Sequence, residues 1–362
     1  MAKSEKKSRE KRVFKWFEQK APEYRFRFGG WQEKRLAKLQ ARNVTASANF
    51  EREFRKLVLP YWKKYGIKPD KNAFKVFCEG KTVDPRYISN EIWQTDITMH
   101  FNNIVSYRNL GDKNLQPFFV PTLNKAKTLA RSIFGTYRDE QFLPMDAARL
   151  CTVCREAGDV VLKLSYLSSC GDGIRFFHMD DWSDEDFCAT LSEIRDDFVL
   201  QTVIHQHPTL ASINPSINTI RILTFRFRGE VHVLSAVLRM GSGDSKVDNV
   251  AKGGFACPVQ SDGRLSKYAV SRVSKTNAVH PSGVVFADVV IPNYAHVLEK
   301  VKEAADNMPY FNLLGWDIAI GEDGEPIFIE FNVRPEQNQK TCGPSFGDLT
   351  EDVLDEVFGK KD

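Results

Sequence analysis

The sequence predicts an α+β protein, with helices gathered over residues 1–110 and hairpin-linked strands dominating the C-terminal half. Three observations carry this. Stretches 31–43, 48–65 and 70–79 place apolar residues at three- and four-residue spacing, the period of a helix with one buried face. From Phe118 onward, short β-rich runs alternate with helical ones. The runs Trp316 to Ile320 and Ile327 to Phe331 flank Asp323-Gly324, a strong hairpin signal.

Taken in order, Asp84-Pro85 and Gly111 punctuate the end of the helical region. A helix over 145–157 leads into Val160 to Leu164, an apolar run of the buried-strand type. Ile174 to Phe177 is a second strand, and Ser183-Asp-Glu-Asp is a good cap for the helix that follows. Phe198 to Ile204 reads as a strand, and Ser216 to Met240 as a long hairpin around Arg228-Gly229. Another hairpin turns at Asp262-Gly263, and helix 294–307 leads into the strand pair near the end. Hairpin linkage predicts a largely antiparallel sheet.

Composition narrows the function classes. The 362 residues suffice for two or three domains with a sizeable core. No segment approaches the ~18 apolar residues of a membrane-spanning helix. Met1-Ala-Lys-Ser-Glu-Lys-Lys has no apolar h-region, which argues against a secretory signal. Seven cysteines without framework spacing suggest reduced thiols in a cytoplasmic protein, and the single Cys151-Thr-Val-Cys154 is read as buried and inert. The net charge of +4 is uneven: residues 1–43 hold 14 Lys/Arg against 5 Asp/Glu. This basic segment carries Phe14, Trp16, Phe17, Phe26, Phe28 and Trp31. It is either a surface for anionic membrane or polyanion, or an arm that packs on the body.

The chemistry concentrates in Gly315 to Asn332. If Asp323-Gly324 is a two-residue turn, Asp317 stands directly opposite Glu330 on one face, and Asn332 joins them two residues on. Ile318, Ile320, Phe328 and Phe331 would face the core. Opposed carboxylates repel unless a cation lies between them, and two carboxylates with an amide oxygen suit Mg²⁺. The alternative is a solvent-facing strand pair that happens to carry acids.

Two further features add cations. Lys163 interrupts the apolar run Val160 to Leu164, where an ammonium is costly unless it meets an anion. The small-residue loop Ser168-Ser-Cys-Gly-Asp-Gly173 follows, and its backbone N–H groups could cradle phosphates. In the Arg228-Gly229 hairpin, counting from the turn sets Asn218 opposite Arg239, with Arg221 pointing away from Asn218. Arg221 is either a clamp for a reacting phosphoryl group or an ion-pair partner for a neighbouring acid.

The order Lys163, glycine-rich loop, Phe198 to Ile204, Asn218-Thr-Ile-Arg221, Asp317 and Glu330-Phe-Asn332 resembles an ATP-grasp enzyme. More narrowly, it resembles the sugar-transfer-associated group of bacterial polysaccharide biosynthesis. The phrases that carry this are Asp112-Lys-Asn114, Leu238-Arg-Met-Gly241, Val247-Asp-Asn249 with Gly253-Gly254, His280-Pro281 and Gly315-Trp-Asp317.

The resemblance implies an ATP-grasp fold, two α+β subdomains gripping ATP after a helical N-terminal region. Residues 1–43 would then be a basic arm and 44–110 the helical region. Residues 111–204 would be a nucleotide-binding subdomain with a phosphate flap, and 205–362 a C-terminal subdomain with the metal and substrate site. By the same resemblance Lys113 and Lys163 hold the ATP phosphates, under a flap that includes Ser168, Gly171 and Gly173. Gln201 to Ile204 forms the adenine hinge, with backbone groups of Thr202 and Ile204 reading the base. Asp317 holds one Mg²⁺, Glu330 bridges two and Asn332 completes the second, with Mn²⁺ as an alternative ion. Arg221 stabilises the transferring phosphoryl group, and Arg239 is counted with it as catalytic. Asn218, Asp248, Asn249, Gly253, Gly254 and His280 are substrate-site candidates.

The activity implied is ATP- and Mg²⁺-dependent ligation. A carboxylate is activated as an acylphosphate and joined to an amine or sugar-linked acceptor, in surface polysaccharide or sugar-conjugate biosynthesis. The alternatives are phosphoryl transfer to a sugar or polyol, and a non-catalytic protein that binds membrane surfaces or polyanions. No nucleic-acid partner is expected. The location expected is cytoplasmic, with peripheral membrane contact through residues 1–43 as a variant. The sequence does not indicate an oligomeric state.

Overall fold

The computed structural model describes residues 24, 27–103, 109–166, 173–242, 253–271 and 276–359. Phe14, Trp16, Phe17, Phe26, Ser168, Gly171, Asp248 and Asn249, singled out above, lie outside the described residues. The chain divides into two units by its internal contacts: 1–107 with 310–313 and 334–362, and 108–309 with 314–333. Residues 334–362 thus group with the N-terminal helices, whereas the sequence reading kept them with 205–333.

The first unit is helical. Helix α1 spans 27–40. It is followed by α2 (Phe50–Glu53), a π-helical turn Phe54–Val58 and α3 (Leu59–Lys63). Next come α4 (Lys71–Phe77) and α5 (Asn90–Ile92), then a second π turn, Trp93–Ile97, leading into α6 (Thr98–Phe101). Its core is aromatic, with Trp62, Phe74 and Trp93 fully buried. Both indoles find acceptors, as buried ones must: Trp62 Nε1 donates to Pro85 O at 2.9 Å and Trp93 Nε1 to Pro335 O at 2.7 Å. Gly30 is where α1 closes on the body, since a Cβ there would meet Thr95 Cγ2 at 2.4 Å.

The second unit holds two sheets. Its strands are β1 (Asn124–Lys125), β2 (Thr128–Ile133), β3 (Thr136–Arg138), β4 (Asp159–Leu164), β5 (Ile174–His178) and β6 (Phe198–Thr202). They continue with β7 (Thr219–Phe227), β8 (Glu230–Met240), β9 (Phe255–Pro258), β10 (Val270–Ser271), β11 (Leu313–Ile320) and β12 (Pro326–Asn332). Among the described residues, one sheet runs β3-β2-β6-β4-β5 and the other β1-β12-β11-β7-β8-β9-β10. The pairs β2–β3, β2–β6, β4–β5, β4–β6, β7–β8, β8–β9, β9–β10 and β11–β12 are antiparallel as expected, whereas β1 lies parallel to β12.

The five-stranded sheet is covered by α7 (Ala147–Ala157) and α8 (Asp184–Ser192). Both begin at side-chain caps: Asp146 accepts from Arg149 N at 2.8 Å and Ser183 from Asp186 N at 3.0 Å. Leu150 of α7 and Phe187 of α8 share one buried core with Leu162 and Leu200 of the sheet. Cys151 and Cys154 belong to this core, and burial pushes both thiols up to about 12, so neither is a ready nucleophile. The chain enters this sheet through Lys127 and leaves it through Thr202. The two crossings are tied together, Thr202 N donating to Lys127 O at 3.0 Å and Lys127 N to Thr202 Oγ1 at 3.2 Å.

Candidate active site

The β11–β12 hairpin places Asp317 opposite Glu330, but not through the expected turn. Gly321 N donates to Glu325 O at 2.9 Å, so the loop is the three residues Glu322 to Gly324. Gly324 adopts φ +82°, the left-handed conformation such a loop requires. This shifts the register by one, pairing Ile318 with Phe328. A bulge then adds Ile329 to β12 and shifts it back. The two offsets cancel before the acids are reached. Ile318, Ile320, Phe328 and Phe331 are buried as expected, while the bulged Ile329 is half-buried beside Glu330. Nothing in the sequence pattern pointed to Ile329.

The β7–β8 hairpin overturns the other register. Its residues pair as expected from Phe227–Glu230 to Thr224–Val233, and then a bulge at Leu234 intervenes. Thr219, not Asn218, therefore faces Arg239, and Arg221 faces Val237. Because side chains alternate along a strand, Arg221 and Arg239 share one face, which corrects the reading that separated them. The strand order β12-β11-β7-β8 lines up Glu330, Asp317, Arg221 and Arg239 as a row across four neighbouring strands.

Within that row Asp317 is 4% exposed. Arg221 donates to it side-on, Nε to Oδ1 at 2.5 Å and Nη2 to Oδ2 at 2.9 Å, and Arg239 Nη1 lies 3.4 Å from each oxygen. Burial alone would raise the Asp317 carboxyl, but the two guanidinium groups outweigh it and hold the group below the ordinary carboxylate range. Trp316, fully buried, braces the strand by donating from Nε1 to Thr224 Oγ1 at 2.8 Å.

Both lysines reach the same row. Lys113 Nζ lies 3.4 Å from Glu330 Oε2. Lys163, on β4 between Ile174 and Val199, is desolvated, which pushes its ammonium down to about 8; Glu330 pulls against that and Lys113 adds to it. Four cations thus surround two carboxylates, a formal excess of +2 when all are charged, an arrangement whose electrostatics suit an anion. The residues also fit a divalent ion: opposed carboxylates on Asp317 and Glu330, with the Asn332 amide, whose oxygen could be a ligand, two residues on along the same face. Asp317, Glu330 and Asn332 are the residues that would hold it.

Other predicted residues fall differently. Gln201 is buried in β6 opposite Val161, and Ile204 lines a cleft of about 510 Å³ with Lys125, Lys127, His205, Asp323 and Ile327. Thr202 lines it too, but its N–H is spent on Lys127 O, so it is not a free donor for a base edge. Gly173 has φ +78°, and a Cβ there would strike Leu164 at 2.5 Å.

Asn218 is fully buried, with Nδ2 donating to Gln206 Oε1, Leu210 O and Asn214 O. It knots a loop rather than facing a substrate. His280 is likewise buried: Ser282 N donates to Nδ1 at 3.2 Å, which leaves the proton on Nε2 to bond Gly241 O at 2.9 Å. Both ring nitrogens are occupied, which removes it from the substrate candidates. Gly253 accepts from Ser242 Oγ at 2.9 Å, and Gly254 is buried.

Residues 187–342 match the family model described as sugar-transfer associated ATP-grasp. No curated protein matches. Among solved structures, the chain is similar to an ADP complex of the N5-carboxyaminoimidazole ribonucleotide synthetase purK, at 13% identity and TM-score 0.40, over 65% of this chain and 47% of that one. It is similar to D-cycloserine synthetase DcsG at 13% identity and TM-score 0.43, over 70% and 73%. D-alanyl-alanine synthetase A from Vibrio cholerae gives 10% identity and TM-score 0.40, over 71% and 64%. The chain spans about half the length of the purK enzyme. These likenesses are distant. The matched residues 187–342 include Arg221, Arg239, Asp317, Glu330 and Asn332, so that part of the row lies within the segment similar to the sugar-transfer associated ATP-grasp family.

Proposed function

We propose that this protein is an ATP- and Mg²⁺-dependent ligase that activates a carboxylate as an acylphosphate and joins it to an amine or sugar-linked acceptor. The observation that carries the reading is the transverse row Glu330–Asp317–Arg221–Arg239 with Lys113 and Lys163 beside it. Bound Mg²⁺ would neutralise charge on the phosphoryl oxygens. The lysines bind and orient the phosphates. Arg221 and Arg239 are aimed where charge develops during phosphoryl transfer, and their contacts with Asp317 fix their planes beforehand. The carboxylate oxygen attacks the terminal phosphorus, ADP leaves, and the amine then displaces phosphate at the carbonyl carbon. The transfer needs positioning and charge more than a protein nucleophile. Surface polysaccharide or sugar-conjugate synthesis is the setting we propose, in keeping with the sugar-transfer association of the matched family.

The test is an ADP-release screen of candidate acids and amines with mass spectrometry of the products. An amide with free phosphate supports the ligase, and a stable phosphomonoester supports phosphoryl transfer to a sugar or polyol instead.

A second reading, contact with an anionic membrane, is favoured by α1. No described helix is long and apolar enough to cross a membrane. Yet Phe28 and Trp31 stack at 5.9 Å while 60% and 57% exposed. Leu36 and Leu39 are also exposed, and Arg35 and Lys38 lie among them. The opposite side of α1 carries Gly30 against Thr95. A basic helix with an outward aromatic face is suited to a headgroup layer.

A further inference from the structure

Arg131, on β2, is 2% exposed and has no part in the chemistry above. Its guanidinium lies 4.7 Å from the Phe142 ring centre and 5.5 Å from that of Phe118. Nη1 donates to Asn114 O at 2.8 Å and to Asn114 Oδ1 at 3.2 Å, while Nε has no partner. Among the described residues no carboxylate is hydrogen-bonded to it, although Asp112, Asp139 and Glu140 act on it at longer range. Burying a cation this way is costly, and an apolar residue of similar volume is often neutral or stabilising in such a place. What its contacts hold in place is therefore the question the geometry answers.

They converge on Lys113. Lys113 N donates to Ser165 O at 2.8 Å, and Asn114 N to Asp112 Oδ1 at 2.8 Å. Leu115 N and Gln116 N both close on Asp112 O. On the other side, Gln116 Nε2 donates to Phe331 O at 3.0 Å and Phe331 N to Gln116 Oε1 at 3.3 Å, one residue from Glu330. The segment 112–116 therefore spans from one sheet to the other. Gln116 ties it to β12, and Arg131 and Ser165 tie it to the five-stranded sheet. Arg131 makes the contact that fixes both the carbonyl and the side chain of Asn114, the residue next to Lys113.

We propose that Arg131 is a positioning residue: by clamping Asn114 it holds the Lys113 ammonium beside Glu330, where phosphates are to bind. This rests on the reading of Lys113 as a phosphate-binding lysine. The clamp acts on nucleotide affinity through Lys113 and on nothing else in the site.

The experiment is a double-mutant cycle read by calorimetric titration with MgADP, alongside thermal melting. Lys113→Ala is expected to weaken MgADP about tenfold. Arg131→Met is expected to weaken it by a comparable factor with the melting temperature unchanged or higher, which a purely structural residue would not do. In the Lys113→Ala background, Arg131→Met should change affinity less than about twofold. Arg131→Lys keeps a donor and should recover part of the loss; it also replaces Arg131→Met in the cycle should the latter not fold. Wild-type affinity in Arg131→Met, with Lys113→Ala impaired, overturns the positioning role. So does a full Arg131→Met effect that persists without Lys113. A wild-type protein that binds no MgADP overturns the nucleotide reading itself, and this role with it.

Discussion

Arg221 and Asp317, 96 residues apart, meet side-on through two hydrogen bonds on adjacent strands, with Arg239 set against both oxygens of the same carboxylate. The acid is thereby held charged in a site that hides it from water. Replacing Arg221 with Met should cost about 2–3 kcal/mol, less than the usual loss for a broken buried pair because Arg239 remains. Urea denaturation measures this; a loss below about 0.5 kcal/mol would show the pair to be energetically idle.

Acid should release the same contact. Asp317 sits below its unfolded value, so its contribution is present above about pH 4 and is lost as pH falls through the lowered folded value. Asp317→Asn should flatten the fall in stability between pH 5 and 2, measured by urea titration at each pH. An unchanged acid limb would mean other carboxylates govern it.

Glu330→Gln should leave the melting temperature within a few degrees of wild type, because the side chain is 29% exposed and not part of the core. Turnover should fall roughly 10²–10³-fold, since an amide supplies neither the charge opposite Lys113 nor that of a carboxylate bridging two cations. Near-normal ATP turnover by the folded variant would sink the metal assignment.

Lys163, pushed down to about 8 by burial, should regain its proton when phosphates arrive. At pH 8 this means an uptake of about half a proton on MgADP binding, with affinity falling as pH rises beyond that point. In the free protein the sign is opposite for folding: stability should increase between pH 8 and 10 as the desolvated ammonium discharges. Calorimetry in buffers of different ionisation enthalpy reads the uptake, and Lys163→Met should abolish it. Equal uptake in that variant would place the titrating group elsewhere.

If α1 meets anionic membrane, Phe28→Ser with Trp31→Ser should abolish binding to phosphatidylserine vesicles without lowering the melting temperature, since both rings are exposed. Binding by the parent protein should weaken as salt screens contributions of about 1 kcal/mol per basic residue. Vesicle binding equal in both forms would leave the outward face of α1 unexplained.

The two hairpins show how far the sequence could be read. Strand identity followed from apolar runs and turn residues, and both hairpins lie where Asp323-Gly324 and Arg228-Gly229 pointed. Register did not follow, because a bulge inserts one residue without disturbing the apolar pattern that reveals a strand. In β11–β12 a three-residue loop and the Ile329 bulge cancelled, so Asp317 met Glu330 as expected. In β7–β8 only the Leu234 bulge acts, so the face carrying Arg221 and Arg239 was misread. Buried amides and imidazoles were also opaque: Asn218 and His280 sit in family-like phrases, yet their partners are backbone carbonyls far along the chain or across a loop. The clustering of the helical unit with 334–362 needed long-range contacts such as Trp93 with Pro335.

The hydrogen bonds joining Lys127 and Thr202 close a 75-residue excursion on itself. A segment whose two ends meet, and which has its own sheet and core, resembles an insertion spliced into a loop of its host. Its stem is the place for engineering. A short hairpin joining Lys127 to Thr202 should leave the Asp317–Arg221 row standing while removing Lys163 and Arg131, and the excised piece could be grafted or permuted at the same seam. If the excursion is such an insertion, two cuts at that seam should yield a host that still folds without Lys163 and Arg131.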